Sequence, residues 1–406
     1  MGGAPDLGRP LPHEERLAAV AEAFRRRFGR PPAAVSEAPG RVNLIGEHLD
    51  YNEGLVLPVA IDRSVLVAFA ARLDDQVRLY SADFDQESRF SLTEPMERDE
   101  ERPWSNYLRG VLWALRDEGF LGPGLDMAVA GDVPIGAGLA SSAALEVAAL
   151  GALRSAWGLQ LDGRRLALLG QRAENAFVGV QCGIMDQFAA ALAVADHALL
   201  IDCRSLEYEA VPLGLTERGL ALLVADSGVP RRLESSEYNR RRQECAEALR
   251  LLQAAMAERP PAALRDVSAA DLAAHVAVLP PALQRRVRHV VTEMERVRAS
   301  VDALRQGRIE EFGRLMHASH ASLRDDFEVS CPELDRMTDL ARAVPGVLGA
   351  RLTGAGFGGC TVNLVREEAL AAFQTHVVER YSRETGLSGR VYVCRATDGL
   401  CVWPLD

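Results

Sequence analysis

A glycine-containing turn that leads directly into an expected helix is the first place where the chain could hold a ligand. Residues 132–153 read DVPIGAGLASSAALEVAALGAL, in which two glycines precede a pair of serines. Glycine lets the backbone approach an anion closely, and the free N–H groups of a helix N-terminus attract negative charge. The serines could instead be simple helix caps. The strand–turn–helix context favours phosphate with Mg²⁺, a hard ion that prefers oxygen ligands.

The chain contains no lysine, because arginine accounts for all 46 of its Lys and Arg residues. A Walker A loop, a protein-kinase strand lysine and a lysine Schiff base are therefore excluded. Any phosphate that binds here must be held by backbone amides, helix ends, arginine or a metal.

A second polar group lies in residues 39–58, which read PGRVNLIGEHLDYNEGLVLP. Glu47, His48 and Asp50 fall close together there, near Arg41. Three such ligands on one short loop would crowd a single metal ion, although a metal is conceivable. A sugar or polyol fits better, because adjacent hydroxyls need several short donors and acceptors on one wall. A loop network that satisfies only itself is the remaining alternative.

The segment GAGFGG at 354–359 matches the dinucleotide fingerprint G-x-G-x-x-G letter for letter. That fingerprint requires a helix to follow, whereas CTVNLV comes next and is expected to be a strand. The context therefore argues against an NAD-dependent enzyme. A tight turn between strands is one interpretation, but four glycines in six positions also suggest backbone pressed against a ligand.

Two further carboxylates draw attention only through their neighbours. Asp186, in CGIMDQFAAALA, begins an apolar helix, where a first-turn acid or an N-cap is the default interpretation. Glu174, in QRAENAFVG, lies on the preceding expected helix, where an exposed surface acid is the default.

The coarse pattern predicts an α+β protein in two lobes. Helices are expected near 13–28, 105–118, 139–157, 164–178 and 183–194, and over most of 239–330. Strands are expected at 65–71, 125–130 and 220–225, and in LGARLTG, CTVNLV and VYVCRA. We place the boundary between lobes near 205–218, which gives an N-terminal domain of residues 1–210 and a C-terminal domain of residues 211–406.

Composition limits the class of partner. The formal net charge of −11 disfavours binding to nucleic acid, and the arginine clusters at 25–27 and 240–242 are expected to be solvated helix faces. No apolar run is long enough to span a membrane, and the first residues do not resemble a signal peptide. Seven scattered cysteines suit reduced thiols. We expect a cytoplasmic protein that does not bind a membrane.

Together these segments resemble the galactokinase branch of the GHMP small-molecule kinases. The motifs that carry the resemblance are GRVNLIGEHLDYNEGLVLP, PIGAGLASSAALEV, RLTGAGFGGCTVNLV, CGIMDQ and SSEYNRRRQEC. The resemblance spans residues 38–402, and along the chain these motifs occur in the order that is typical of the family. The resemblance implies a two-lobed fold, each lobe a mixed β-sheet covered by helices, with the active site in the cleft between lobes. It implies ATP-dependent phosphorylation of a hexose at the anomeric hydroxyl, with D-galactose the favoured substrate.

The resemblance also implies where the nucleotide and metal bind. The phosphates of MgATP would lie on Gly136, Ala137, Gly138, Leu139, Ala140, Ser141 and Ser142. Mg²⁺ would be held by Ser142 and Glu174. Trp104 and Tyr107 would lie near the adenine, although packing in the core is their alternative.

For the sugar, the resemblance assigns Asp186 as the carboxylate that accepts the anomeric hydroxyl proton and Arg41 as the partner that orients it. An arginine neighbour favours the charged form of a carboxylate. The positions that would contact the hexose are Glu47, His48, Asp50, Gly183 and Tyr238. We expect a monomer or a weak homodimer.

Three departures from the family pattern leave alternatives open. Leu49 replaces the threonine of EHTDY, Ala140 replaces the first of three serines, and Ala355 interrupts a run of glycines. The change at Leu49 keeps N-acetylgalactosamine or another hexose as an alternative substrate. A sugar- and ATP-binding sensor without catalysis is a second alternative, which the intact phosphate loop disfavours.

Overall fold

The computed structural model describes residue 8, residues 10–229 and residues 234–405, without the side chains of residues 234–236. Thirteen strands occur in this part of the chain: β1 Ala34–Asn43, β2 Leu55–Val56, β3 Pro58–Ala71, β4 Gln76–Ser81, β5 Gln86–Ser91, β6 Leu125–Gly131, β7 His197–Asp202, β8 Tyr208–Pro212, β9 Leu220–Asp226, β10 Val347–Thr353, β11 Cys360–Arg366, β12 Arg390–Cys394 and β13 Cys401–Pro404.

The α-helices of the same described residues are α1 His13–Phe28, α2 Ser105–Asp117, α3 Ser141–Trp157, α4 Gly163–Arg172, α5 Met185–Leu192, α6 Glu234–Ala255, α7 Ala269–His275, α8 Pro281–Arg305, α9 Ile309–Asp325, α10 Pro332–Arg342, α11 Leu370–Phe373 and α12 Arg380–Thr385. Single π-helical turns, at Ala173–Val178 and Gln374–Glu379, continue α4 and α11.

The first sheet has six strands in the order β13-β1-β3-β6-β4-β5. The sheet is mixed, because β4 and β6 pair in parallel while all other neighbouring strands of this sheet pair antiparallel. Helices α3 and α5 pack on one face against β1 and β3, and α1 covers the opposite face. This arrangement places the ends of β1, α3 and α5 side by side.

The second sheet has four strands in the order β10-β11-β9-β12. All three of its pairings are antiparallel, so the expectation of a mixed sheet is wrong for this lobe. The glycine-rich turn 354–359 joins β10 directly to β11, and a short turn can join only antiparallel neighbours. Helices α10, α11 and α12 cover one face, while the other face joins the main core of the molecule.

Most of the elements predicted from periodicity are confirmed, including the α+β class. The strand β1 was not predicted, and it is the element that carries Arg41. Its ten residues are almost wholly buried, and polar residues such as Arg41 and Asn43 interrupt its apolar pattern. The helix expected at 164–178 is one α-helix followed by a π turn.

The division into domains at residue 210 stays a prediction. Strand β13, from the C-terminal end of the chain, pairs with β1 in the first sheet. In the small third sheet, β2-β7-β8, strands β2 and β7 belong to the predicted N-terminal domain and β8 crosses residue 210. A boundary drawn along the sequence therefore does not coincide with the sheets.

Candidate active site

A cavity of about 530 Å³ is lined by residues from both halves of the chain. It brings together most of the predicted site residues. Those on its wall are Arg41, Glu47, His48, Asp50, Tyr107, Gly136, Gly138, Leu139, Ala140, Ser141, Ser142, Glu174, Gly183, Asp186 and Tyr238. Two predicted residues, Ala137 and Trp104, are not among the lining residues.

The glycine turn forms one side of the cavity and ends at the N-terminus of α3. Gly136 and Gly138 have φ values of 75° and 80°, in the left-handed region that glycine adopts without strain. Ala140 occupies the N-cap position, also with a left-handed backbone, and no side chain caps the helix. Ser141 and Ser142 are the first helical residues, so the interpretation of these serines as N-caps is wrong. Their hydroxyls remain available to the cavity that they line.

Arg41 connects the glycine turn to Asp186. Its Nε donates to Asp186 Oδ1 at 2.8 Å and its Nη2 donates to Asp186 Oδ2 at 2.6 Å. Its Nη1 donates to the Gly138 carbonyl at 2.7 Å. Burial alone would lower the pKa of Arg41, but the carboxylates of Asp186, Glu47 and Asp50 together outweigh it and the net shift is upward. The guanidinium is therefore a fixed positive charge, while the Asp186 side chain keeps 24% of its area exposed.

The strand that carries Arg41 approaches the glycine turn closely. The Arg41 N–H donates to the Leu139 carbonyl at 3.0 Å. A Cβ on Gly40 would lie 2.6 Å from the same carbonyl oxygen, which is too close for any side chain. The glycine in the sequence PGR is thus required for β1 to support the turn.

Glu47 is buried and faces the glycine motif of the second half. Its Oε1 accepts a hydrogen bond from the Gly354 N–H at 2.7 Å and lies 3.4 Å from Arg351 Nη2. Burial raises the pKa of Glu47, and the nearby guanidinium groups of Arg351 and Arg41 oppose that rise. The GAGFGG segment therefore presses its backbone against the Glu47 side chain, and its approach to a ligand stays a prediction.

His48 is neutral and has a defined tautomer. Burial lowers its pKa to about 3. Its Nε2 lies 3.2 Å from the Ala355 carbonyl, which can only accept, so Nε2 carries the proton. Its Nδ1 then accepts from the Tyr51 hydroxyl at 2.9 Å. The ring also lies beside Tyr238, with centroids 5.6 Å apart.

Asp50 and Gly183 lie against each other. A Cβ on Gly183 would lie 1.7 Å from Asp50 Oδ2, so the carboxylate occupies the space of a side chain. Burial raises the pKa of Asp50 to about 6, and the Asp186 carboxylate adds to the rise. Gly183 lines the cavity by leaving room for Asp50.

Glu174 is only 5% exposed, in contrast to the surface position that its helix suggested. It lies on the π turn after α4, and the Ser142 hydroxyl donates to its carboxylate. The Cys182 thiol also donates to Glu174 Oε2, at 3.2 Å. Burial raises the pKa of Glu174, and these hydrogen bonds oppose the rise. Ser142 and Glu174 thus present two adjacent oxygen donors at the helix N-terminus.

Two residues of this region were missed by sequence reasoning. The Gln187 side-chain Nε2 donates to Glu174 Oε2 at 2.8 Å and to Glu146 Oε2 at 3.0 Å. Glu146 is fully buried, and burial raises its pKa well above the ordinary value. Gln187 directly follows Asp186, and Glu146 lies one helical turn after Ser142, so their spacing could have identified both.

The expected aromatic pair near the nucleotide is divided. Tyr107 lines the cavity, and burial raises the pKa of its hydroxyl to about 12. Trp104 instead donates its indole N–H to Gln86 Oε1 at 3.0 Å and packs against the core at its edge. Ala137, which lies between the two glycines of the turn, is buried and does not line the cavity. Packing is therefore the better account of Trp104.

The arginine cluster at 240–242 is not simply a solvated face. Arg241 is 5% exposed and donates to the carbonyls of Phe327 and Glu328, both at 2.8 Å. Arg242 lies over the Tyr51 ring at 5.5 Å. Arg241 therefore holds the backbone of residues 327–328, and Arg242 packs on the ring of Tyr51.

Leu49 does not reach the cavity. It is 0% exposed and belongs to the main hydrophobic core, where Gly54 packs against it. The substitution at this position of the motif therefore changes packing behind the site and presents no new group to the sugar.

Two features are absent from the described residues. No group of three or more His, Cys, Asp or Glu side chains is arranged to hold a metal in that part of the chain. None of the helices in residues 10–229 and 234–405 is long and apolar enough to cross a membrane.

Comparison with family models defines the class of protein. The model for the GHMP kinases N terminal domain matches residues 106–193, and the model for the GHMP kinases C terminal matches residues 300–383. The galactokinase galactose-binding signature matches residues 22–71, which contain the loop of Glu47 and His48. The fold is that of a GHMP kinase.

Individual relatives narrow this class. The chain is 51% identical to the galactokinase of Roseiflexus sp. (strain RS-1), over 93% of this chain and 95% of that protein. It is 49% identical to the galactokinase of Chloroflexus aurantiacus, over 95% of this chain and 98% of that one. The chain therefore belongs to the galactokinase family.

Solved structures agree with this assignment. The galactokinase of Lactococcus lactis, solved in complex with galactose, superposes with a TM-score of 0.90 at 36% identity, covering 95% of this chain and 99% of that chain. A mevalonate kinase superposes with a TM-score of 0.64 at 19% identity, which shows the shared fold alone. The expected two-lobed kinase fold is confirmed.

Proposed function

We propose that this sugar kinase transfers the γ-phosphoryl group of ATP to the anomeric hydroxyl of D-galactose, giving galactose 1-phosphate and ADP. The observation that carries the proposal is the pair formed by Arg41 and Asp186 at the junction of two walls. One wall is the glycine turn, and the other contains Glu47, His48 and Asp50. A nucleotide phosphate and a sugar hydroxyl would therefore meet at Asp186.

Asp186 is the general base of this scheme. Its carboxylate is partly exposed to the cavity, and Arg41 holds both of its oxygens. The carboxylate accepts the proton of the anomeric hydroxyl as that oxygen attacks the γ-phosphorus, and the bond to the β-phosphate oxygen breaks. A weak base is sufficient, because phosphoryl transfer depends mainly on positioning and electrostatic stabilisation. Asp186→Asn should reduce kcat by about 10²–10⁴-fold.

The ATP phosphates lie on the glycine turn in this proposal. Gly136, Gly138, Ser141 and Ser142 offer backbone N–H groups and hydroxyls beside the positive end of the α3 dipole. This loop accounts for phosphate binding in a chain without lysine. Tyr107 lines the cavity and would pack near the adenine ring of ATP. Trp104 is left out of the proposed site because its indole N–H donates to Gln86.

Ser142 and Glu174 fit Mg²⁺. They supply one hydroxyl and one carboxylate, both hard oxygen donors already in contact with each other. An ion held by so few protein ligands completes its coordination with water and phosphate oxygens, as Mg²⁺ usually does. When bound, Mg²⁺ neutralises charge on the transferring phosphates. Chelation should therefore abolish turnover.

Glu47, His48, Asp50 and Tyr238 form the proposed hexose wall. Glu47 and Asp50 accept hydrogen bonds from sugar hydroxyls, and Tyr238 lines the same wall. Neutral His48, whose two ring nitrogens are bound to Tyr51 and Ala355, packs beside them. Gly183, which has no side chain, leaves the space that Asp50 fills.

We further propose that the enzyme acts in the cytoplasm as a monomer or weak homodimer, without nucleic-acid or membrane partners.

N-acetylgalactosamine remains the second candidate substrate, but Leu49, the feature that raised it, is buried behind the site. A substrate panel decides. ADP release is followed with D-galactose, N-acetylgalactosamine, galactosamine, glucose and no sugar. Turnover confined to galactose supports the proposal, and stronger turnover on an N-acetylated sugar would replace the substrate. Binding of ATP and sugar without turnover would point instead to a sensor.

A further inference from the structure

The loop that carries Glu47 is fixed by strand β10 of the second half of the chain. Asn43, the last residue of β1, donates its N–H to Thr353 Oγ1 at 3.0 Å. Its carbonyl accepts from Arg351 Nη1, also at 3.0 Å. Both contacts join residues more than 300 positions apart. The start of the loop that carries Glu47 is therefore held by β10, the strand that precedes the GAGFGG turn.

Arg351 is a buried charge between two acids of this region. Its side chain is 0% exposed, and its Nη2 lies 3.4 Å from Glu47 Oε1. Glu293, on α8, is the second acid whose charge acts on Arg351. Glu293 Oε1 in turn accepts the Gly46 N–H at 2.9 Å. Two neighbouring residues of the loop, Gly46 and Glu47, are thus anchored by groups that surround Arg351.

We propose that Arg351 is a positioning residue for galactose binding, which holds the Glu47 carboxylate in place while Glu47 contacts the sugar. This inference rests on the proposed role of Glu47 in the hexose wall. The Gly354 N–H donates to Oε1 and Arg351 Nη2 lies 3.4 Å from the same oxygen, while the Glu47 residue lines the cavity. Arg351 itself is not among the cavity-lining residues, so it acts through Glu47.

The physical basis is the cost of an isolated buried charge. A carboxylate removed from water keeps its charge only where a positive group or several hydrogen bonds compensate it. Arg351 is the largest of the influences that oppose the effect of burial on the pKa of Glu47. Without Arg351, Glu47 would protonate or turn away, and the charged carboxylate offered to the sugar would be lost. Binding of ATP on the opposite wall would be retained.

The test compares Arg351→Met, Arg351→Lys, Glu47→Gln and the double variant Glu47→Gln/Arg351→Met. Galactose affinity is measured by isothermal titration calorimetry, and KM values for galactose and MgATP are measured with kcat. Arg351→Met should weaken galactose binding by more than about 10-fold and leave the KM for MgATP within about 2-fold. Arg351→Lys, which keeps the charge, should recover part of the affinity. The double variant should bind no more weakly than Glu47→Gln alone.

Arg109→Met is the matched control. Arg109 is 8% exposed and its Nη2 lies 3.5 Å from Asp99 Oδ2, so it is a buried guanidinium with an equally long ion pair. It lies on α2, and its loss should lower stability without changing galactose affinity. If Arg109→Met weakens galactose binding as much as Arg351→Met, the effect is general destabilisation and the inference is overturned.

The remaining outcomes separate the inference from the proposed role of Glu47. Galactose affinity unchanged in Glu47→Gln would refute that role and, with it, the inference. Weakened binding in Glu47→Gln but not in Arg351→Met would refute the inference alone. If Arg351→Met does not fold, Arg351→Lys takes its place, alone and in the double variant Glu47→Gln/Arg351→Lys. Losses of galactose affinity that add in this double variant would overturn the proposal.

Discussion

Arg41 and Asp186 form a bidentate ion pair across 145 residues of sequence, with both donor–acceptor distances below 3 Å. The pair joins the end of β1 to the first turn of α5. The third guanidinium nitrogen of Arg41 is bound to the Gly138 carbonyl. One side chain therefore sets the relative positions of Asp186, the proposed general base, and the glycine turn proposed to bind phosphate.

Arg41→Lys should lower kcat because lysine cannot bind both carboxylate oxygens in a fixed plane. The expected reduction is on the order of 10- to 100-fold, comparable with the loss of one charge-assisted hydrogen bond. ADP release at saturating galactose and ATP measures it. Arg78→Lys is the control, since Arg78 binds both oxygens of Asp126 at 2.6 and 2.8 Å in the first sheet, outside the cavity lining. Equal losses of kcat in both variants would contradict the role of Arg41.

Asp50→Asn should raise stability at neutral pH. Burial, with Asp186, raises the pKa of Asp50 from 3.8 to about 6, so the folded state binds a proton more tightly than the unfolded state does. Stability contributed by this group is therefore lost as pH rises from about 4 to about 6, and the asparagine variant avoids that loss. Above pH 6 the variant should exceed the parent by up to about 3 kcal/mol in the free energy of unfolding.

Denaturant unfolding between about pH 2 and about pH 8 measures this difference. Asp126→Asn provides a comparison of opposite sign, because burial raises the pKa of Asp126 but Arg78, Arg30 and Arg72 outweigh it and the net shift is downward. Its loss should destabilise the protein at neutral pH, and that loss should shrink as pH falls below the unfolded pKa. A pH-independent effect at Asp50 would show that its carboxyl group is not perturbed as described.

Leu49→Thr should affect stability and leave substrate choice unchanged. Leu49 is completely buried, so the change removes apolar contacts and buries a hydroxyl group, at a cost on the order of 2–4 kcal/mol. The ratio of kcat/KM for galactose to that for N-acetylgalactosamine should stay within about 2-fold of the parent, less than about 0.5 kcal/mol in transition-state energy. Leu57→Thr, at another fully buried position, is the control. A large change of the ratio only in Leu49→Thr would restore this residue as a specificity determinant.

Gln187→Met should lower activity at low Mg²⁺ concentration, because the proposed metal site should bind Mg²⁺ more weakly. The amide of Gln187 bridges Glu174 and Glu146, and its removal leaves two buried carboxyl groups without that donor. Loss of a group that orients a metal ligand typically costs about 10- to 100-fold in metal affinity. The Mg²⁺ concentration at half-maximal rate should therefore rise by that order at fixed ATP. Unchanged half-saturation, with the fold intact by circular dichroism, would exclude this supporting role.

The motifs predicted the chemistry of the site better than its surroundings. The glycine turn, the Glu47–His48–Asp50 group and Asp186 meet in one cavity, as the resemblance implied. Glu174, in contrast, was expected on the surface by default, because amphipathic spacing gives no signal when a π turn rotates a helix face inward. The resemblance placed Trp104 and Tyr107 together near the adenine, but of the two only Tyr107 lines the cavity.

The sequence by itself determined which groups are available: no lysine, a glycine turn before a helix, and acids and an arginine in motifs of the galactokinase family. These are properties of local residue order, and local conformation follows from them. Tertiary structure decided which groups meet and in what state of charge. The pairing of Arg41 with Asp186 and of Arg351 with Glu47 depends on strands and helices distant in sequence. The neutral state of His48 depends on its burial. Desolvation and charge compensation arise only when the chain is packed, so residue order alone could not reveal them.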